Sequence, residues 1–404
     1  MSMSAAYSKP PFEPTIPLEP FKISISNNDI EELKTLLKIS RIPKETYENL
    51  DAEKKGFGVS RKWLVETRDY WLNQYDWRKH EARINAQPAY ITTLKNKDGL
   101  EYKIHFAALF SEKDAIPIIL SHGWPGAFIE FLGLMEYLRE RYTPAELPYH
   151  LIFPSTPGYL FSSPPPLDRE FSVRDVGYLY NQLMEGLGFG SGTSGYIAQG
   201  GDVGSHITNE LGRTYPDCKA IHLNMRVFLQ PPEGTPEHDT TPFGVPEFLV
   251  KLQKYGYNLE HGTRPSTVGL VVGSNPLSLL SWIGEKFLEW SDEDPSIETI
   301  LSFISLYWFT DTFPSCIFTY RYGFGSKRDE SSAEKEYNPK PMGFSYFPKE
   351  ITPVPVHWVK TAHNLVWSRE HKAGGHFAAL EDPKRLWGDV EDFVAQVWPD
   401  VSTK

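Results

Sequence analysis

Two cysteines in 404 residues, Cys218 and Cys316, are too few for a disulfide framework. They read as reduced, packed thiols and point to a reducing compartment. No run of 18 apolar residues occurs, so no segment has the composition of a membrane-spanning helix. The first 20 residues are proline-rich and lack the apolar stretch of a secretory signal, and no Asn-x-Ser/Thr acceptor is present. Basic runs are also missing. With 41 Lys+Arg against 52 Asp+Glu, the net charge is −11, which argues against a nucleic-acid partner and against a polybasic membrane-surface site. These absences predict a soluble, cytoplasmic protein. Disorder is excluded by 40% hydrophobic and 23% charged residues. What the chain has in excess is aromatics, with 24 Phe, 21 Tyr and 11 Trp. An ordinary core does not need so many polar-tipped rings, whose N–H and O–H groups must find partners when buried.

Local patterning divides the chain. Ile30, Leu33, Leu36 and Leu37 lie at helical spacing behind Asn28, read as the cap. Ser60 opens a second helix through Trp63, Leu64, Thr67, Tyr70 and Trp71. Residues 76–88 read as irregular. From Leu100 onward short strands alternate with amphipathic helices: strands near 102–108, 116–120, 149–153, 196–199 and 220–223, with helices near 128–138, 172–187 and 203–215 between them. Such alternation means a mostly parallel sheet flanked by helices. Residues 226–330 break the pattern, with helical stretches at 276–290 and 297–309 and many aromatics. Strands resume near 343–347 and 364–367, and a last helix begins at Pro383. We divide the chain into an N-terminal meander (1–98), a first core segment (99–225), a helical insertion (226–330) and a second core segment (331–404).

Three local motifs carry chemistry. Gln199-Gly200-Gly201-Asp202-Val203-Gly204 lies between a strand and a helix, with small residues two positions either side of Asp202. This is the spacing of a nucleophile elbow, in which a strained turn lifts the central side chain above the sheet. The central residue is Asp, not Ser; in isolation it would read as an ordinary turn former. His122-Gly123-Trp124-Pro125-Gly126 follows another strand and can aim the Trp124 N–H, with that of Val203, at a developing oxyanion. Late in the chain, glycines precede His376 in a loop beyond the last strand, where a hydrolase of this topology carries its base. Glu350, after the preceding strand, fits the orienting acid; Glu370, Glu381 and Asp382 read as surface charges. Gly190-Ser191-Gly192-Thr193-Ser194-Gly195 matches a dinucleotide fingerprint in letters only, because it precedes its strand instead of following it.

Together these residues make the chain resemble the microsomal-type branch of the epoxide hydrolases, most closely its soluble fungal members. The similarity runs through Asp76-Trp77-Arg78-Lys79, Asn85, Pro88-Ala89-Tyr90, His122 to Gly126, Gly158 to Ser162, Gly200 to Gly204 and Gly374 to Leu380. The resemblance implies an α/β-hydrolase fold, a mostly parallel central sheet flanked by helices, with an inserted helical lid and an N-terminal meander. It also implies two lid tyrosines that act as acids on the epoxide oxygen: Tyr257, preferred over Tyr255, and Tyr320 in Phe318-Thr319-Tyr320-Arg321. Anchored relatives carry an N-terminal hydrophobic helix, and no such stretch is read in these residues, so the anchored state is not part of the expectation.

The chemistry agrees. A carboxylate attacking an sp³ carbon gives an ester that water can cleave, whereas a Ser nucleophile would give an ether. The expected reaction is conversion of a small apolar or aryl epoxide to a vicinal diol, through an ester on Asp202 hydrolysed by water that His376 and Glu350 activate. No cofactor or metal is expected, and a homodimer could form through the lid or meander. A haloalkane dehalogenase would use the same ester, with a Trp after the nucleophile where this chain has Val203. A silent member of the fold could instead bind an apolar ligand as a receptor.

Overall fold

The computed structural model describes residues 6–190, 192–228, 255–323 and 337–402. Nine strands form one sheet: β1 (Glu19–Pro20), β2 (Ala89–Lys95), β3 (Glu101–Leu109), β4 (Ile116–Ser121), β5 (Tyr149–Pro154), β6 (Tyr196–Gly200), β7 (Cys218–Leu223), β8 (Asn338–Tyr346) and β9 (His363–Glu370). Their spatial order is β1-β2-β3-β5-β4-β6-β7-β8-β9. From β5 through β9 every pairing is parallel, while β1, β2, β3 and β5 pair antiparallel. The central strands are buried on both faces, as apolar runs such as Ile118-Ile119-Leu120 require. β1 ends in Pro20 at the sheet edge, where the missing N–H costs no ladder bond.

Chain order and spatial order diverge at β4, which lies between β5 and β6. Loops leaving neighbouring strands there diverge, so a crevice opens at the strands' carboxyl ends. The loops after β4 and β6 carry the His122 and Asp202 motifs to that crevice. Helices Gly256–Thr263, Pro265–Gly273, Pro276–Trp290 and Ile297–Phe309 are inserted between β7 and β8, the last two with the bounds that patterning predicts. Residues 229–254 and 324–336, which include part of the 226–330 insertion, lie outside the described residues, as does Ser191 of the glycine-rich loop. Among the described residues, no single helix is long and apolar enough to cross a membrane.

The meander differs from the expectation in three ways. Its first helix, Asn27–Ile39, is capped by Ser26 and not by Asn28, with Asp29 bonding back to the Ser26 N–H in a capping box. Residues Trp77–Asn85 are helical, not irregular, with Asp76 as the cap. That helix hides from periodicity because its buried face includes Glu81, which accepts from Trp77 Nε1, the Ile25 N–H and Arg78. And β2 adds a strand that joins the meander to the core sheet. Both thiols, Cys218 and Cys316, are free and buried.

A buried carboxylate ties the last helix, Pro383–Val401, to the strands that launch the late loops. Asp389 accepts from Ser345 (2.5 Å) on β8 and Arg369 (2.8 Å) on β9, and lies 2.6 Å from His371 Nε2. Removing it costs Ser345, His371 and Arg369 an acceptor in the interior, although Ser345 still reaches His222 Nε2 at 3.2 Å. Asp389→Ala should lower unfolding free energy by about 3 kcal/mol, read as a lower urea midpoint with unchanged slope.

Candidate active site

The elbow is built by close approach. A Cβ at Gly200 would come within 2.3 Å of the Gly204 carbonyl, and one at Gly204 within 2.1 Å of the Ser121 carbonyl, so side chains there would force the strand–turn–helix apart. Between them Asp202 takes a left-handed backbone (φ 46°) as the first residue of helix Asp202–Thr214. This conformation is unfavourable for a non-glycine residue and holds the carboxylate at the helix N-terminus. The Trp124 N–H donates to Asp202 Oδ1 at 2.7 Å, and the Val203 backbone also bonds the carboxylate. The loop bearing Trp124 is fixed by His122: its Nε2 accepts from the Thr156 N–H (3.1 Å), which leaves Nδ1 to donate to the Gly123 carbonyl (3.0 Å).

His376 stands between two carboxylates. Its Nδ1 is 2.7 Å from Glu350 Oε1, and its Nε2 is 3.5 Å from Asp202 Oδ2. The loop that presents it is gripped by backbone bonds: the His376 N–H donates to the Trp290 carbonyl (2.9 Å) and the Gly374 N–H to Asp292 Oδ2 (2.7 Å). Glu381 accepts from the N–H groups of Asp292, Gly375 and Phe377. It is therefore a partly buried clamp and not the surface charge that its sequence position suggests. Asp382 caps the last helix through the Arg385 N–H.

Burial alone would lower the His376 pKa, but the charges of Glu350 and Asp202 outweigh it and raise it well above the ordinary imidazole value. Burial opposes the Asp202 charge as well, yet bonds from His376, Val203 and Trp124 hold its carboxyl below the usual range. The arrangement favours the protonated imidazole at His376, with Glu350 and Asp202 on either side of it.

Above the nucleophile lies an aromatic roof. Tyr257, from helix Gly256–Thr263, stacks on Trp124 (5.4 Å between centroids, 13° between planes), and Tyr320 meets the same ring edge-on at 5.8 Å. His261 packs between them, its Nε2 accepting from Trp282 Nε1 at 3.0 Å. Burial, together with the nearby Asp202 charge, raises both phenol pKa values well above normal, which keeps the two tyrosines protonated as donors. The two phenols lie close enough to interact with each other, and the Tyr320 hydroxyl is enclosed. Tyr255 points elsewhere, donating to the Ile351 carbonyl at 3.1 Å. Among the described residues, no group of three His, Cys, Asp or Glu side chains converges as a metal site would.

Comparison with known proteins agrees with this geometry. Residues 18–131 match the family model "Epoxide hydrolase N terminus". The solved epoxide hydrolase of Aspergillus niger shares 46% sequence identity over 97% of this chain and 100% of its own, with a TM-score of 0.87. The chain belongs to the epoxide hydrolase family. Epoxide hydrolase 1 of Sus scrofa is 29% identical over 93% of this chain and 88% of its own length. The fold, an α/β-hydrolase fold, is shared with the juvenile hormone epoxide hydrolase of Bombyx mori at a TM-score of 0.81, 24% identity, and 98% and 99% coverage of the two chains.

The structure thus brings Asp202, His376, Glu350, Trp124, Val203, Tyr257 and Tyr320 into one place. It adds residues that sequence reasoning missed in this family member. Glu130 lines the same cavity as Asp202 and His376; its signal was a lone charge in the apolar run Ala127-Phe128-Ile129-Glu130-Phe131-Leu132. Asp292 and Glu381 left no pattern, because each acts through backbone N–H groups brought together only by folding.

Imidazole titrations separate the two kinds of buried histidine. His376 should stay protonated well above pH 6.5, whereas His105, His122 and His222, driven by burial to about 3, about 4 and about 4, should remain neutral down to about pH 5. Nitrogen-15 NMR of the ring atoms checks this. The raised His376 value stabilises the fold below about pH 6.5, and that contribution is lost as pH climbs through the folded-state value.

Proposed function

We propose that this hydrolase opens small apolar or aryl epoxides to vicinal diols through a covalent ester on Asp202. One observation carries the reading: a carboxylate occupies the elbow, its Oδ1 bonded to a backbone N–H and its Oδ2 facing an imidazole, beneath two protonated phenols. Asp202 Oδ2 attacks a ring carbon, the carbon–oxygen bond breaks, and the electron pair goes to the ring oxygen, which takes a proton from Tyr257 or Tyr320. Neutral phenols suit this task because they donate without placing another charge among aromatic rings.

Ester formation removes the Asp202 charge. One of the two carboxylates that hold the His376 proton is then gone, so the imidazolium releases it, balancing the proton lost by the phenols, and becomes a base. Water gives a proton to His376 Nε2 as its oxygen bonds to Asp202 Cγ, and the carbonyl electron pair moves onto Oδ1. The N–H groups of Trp124 and Val203 hold that oxyanion, each donor contributing on the order of 3 kcal/mol. Collapse expels the diol oxygen, which takes the proton from His376, and the new Asp202 carboxyl then gives its own proton to the neutral His376, restoring the starting state. Glu350 keeps the ring oriented throughout. The inserted helices serve as the lid, and their aromatic lining favours apolar substrates over polar ones. Val203 follows the nucleophile where a dehalogenase would place an indole donor, which disfavours halide departure.

Rapid-quench kinetics with an aryl epoxide, coupled to mass spectrometry of the intact chain, test this division of labour. Asp202→Ala should abolish diol formation. Tyr257→Phe and Tyr320→Phe should each slow ester formation by on the order of a hundredfold. His376→Gln should form the ester and accumulate it; diol production that survives in Asp202→Ala overturns the mechanism.

A further inference from the structure

The second half of the reaction needs a water held at a defined angle to Asp202 Cγ, and one carboxylate in the site has no part in the steps above. Glu130 lies on the short 3₁₀ turn Phe128–Phe131, half-buried, with its Oε2 shielded from solvent and unpartnered by any described protein group. A Cβ at Gly126 would fall 1.9 Å from that oxygen, so the carboxylate is folded against a turn that only glycine leaves open. Next to it is a cavity of about 20 Å³, lined among others by Glu130, Asp202, His376 and His122. That volume accommodates one water, which needs two to four polar partners. Ser121 Oγ and Gln199 Oε1, on the same lining, are likewise buried and unpartnered, the pattern of a hydrated cavity and not a dry one.

We infer that Glu130 positions the hydrolytic water, accepting one of its hydrogens while His376 Nε2 takes the other. The inference rests on the ester mechanism proposed above. With both hydrogens directed away, the water's lone pair faces Asp202 Cγ; the O–H bond to His376 breaks as the O–C bond forms, and Glu130 itself gains no proton. The electrostatics fit the placement. Burial above all, opposed by His376 and reinforced by Asp202, leaves the Glu130 carboxyl at about 8, so the group is coupled to both reacting partners and accepts through Oε2 without having to ionise. Backbone groups of Ala127 and Gly123 also bond the carboxyl, while Oε2 is left to accept from a water.

The test separates the two half-reactions. In Glu130→Gln and Glu130→Ala, ester formation from an aryl epoxide should stay within about threefold of the parent, while ester hydrolysis falls by on the order of tenfold or more and the ester accumulates. Hydrolysis at the parental rate, or equal slowing of both steps, overturns the inference. A high-resolution crystal structure of the unsubstituted protein supplies a readout independent of the variants' folding: an ordered water within hydrogen-bond reach of Glu130 Oε2 supports it, and a dry cavity overturns it. Failure of the underlying mechanism would look different. If neither the parent nor His376→Gln, both with Glu130 intact, forms an ester on Asp202, the ester reading falls and this inference falls with it.

Discussion

An imidazolium held between two carboxylates, all three largely out of water, is the interaction around which this molecule is arranged. Such a triplet is costly to desolvate and is tolerated only where hydrogen bonds satisfy what the charges leave over. Each element near it supplies one of those bonds. The β4 loop gives the Trp124 N–H to Asp202, the elbow gives Val203, and the turn after β8 presents Glu350 to His376 Nδ1. The inserted helices contribute too, since the Trp290 carbonyl and Asp292 fix the backbone of the loop that carries the imidazole. Roof and base are therefore one mechanical unit, and the loop cannot shift without breaking bonds to the helix above it.

Much of the fold was legible because apolar runs and helical spacing are local signals. Ile118-Ile119-Leu120 reads as a buried strand on its own, and the bounds of Pro276–Trp290 and Ile297–Phe309 match their periodicity. The elbow was legible for another reason: small residues around Asp202 record a close approach that no larger side chain permits. Less was legible where polar groups are buried in pairs. Helix Trp77–Asn85 turns a glutamate inward, so its hydrophobic pattern is diluted, and β2 alternates in burial but places Ala89 and Ile91 on its less buried side and Thr92 on its buried side, which blurs the pattern in the sequence.

The site shows the same division. Residues named from their motifs, Asp202, Trp124, Val203 and His376, lie together with Glu350, Tyr257 and Tyr320, but the residues that brace them were invisible in one dimension. Glu381 sits five positions from His376 and looked too near to matter. Proximity in the chain is what lets it reach the N–H groups of Gly375 and Phe377 from below while also holding Asp292 from the helix insertion. Carboxylates that bond backbone N–H groups leave no spacing rule in the sequence, because their partners can be any residue type.

The aromatic excess has an optical consequence. Trp290 meets the His376 ring edge-on at 5.1 Å, and Trp124 stacks directly on Tyr257. A protonated imidazole quenches a neighbouring indole, whereas a neutral one does so far less. Light emission from Trp290 is thereby tied to whether the base carries its proton, so the chain contains its own spectroscopic indicator of the charge state at the centre of the site.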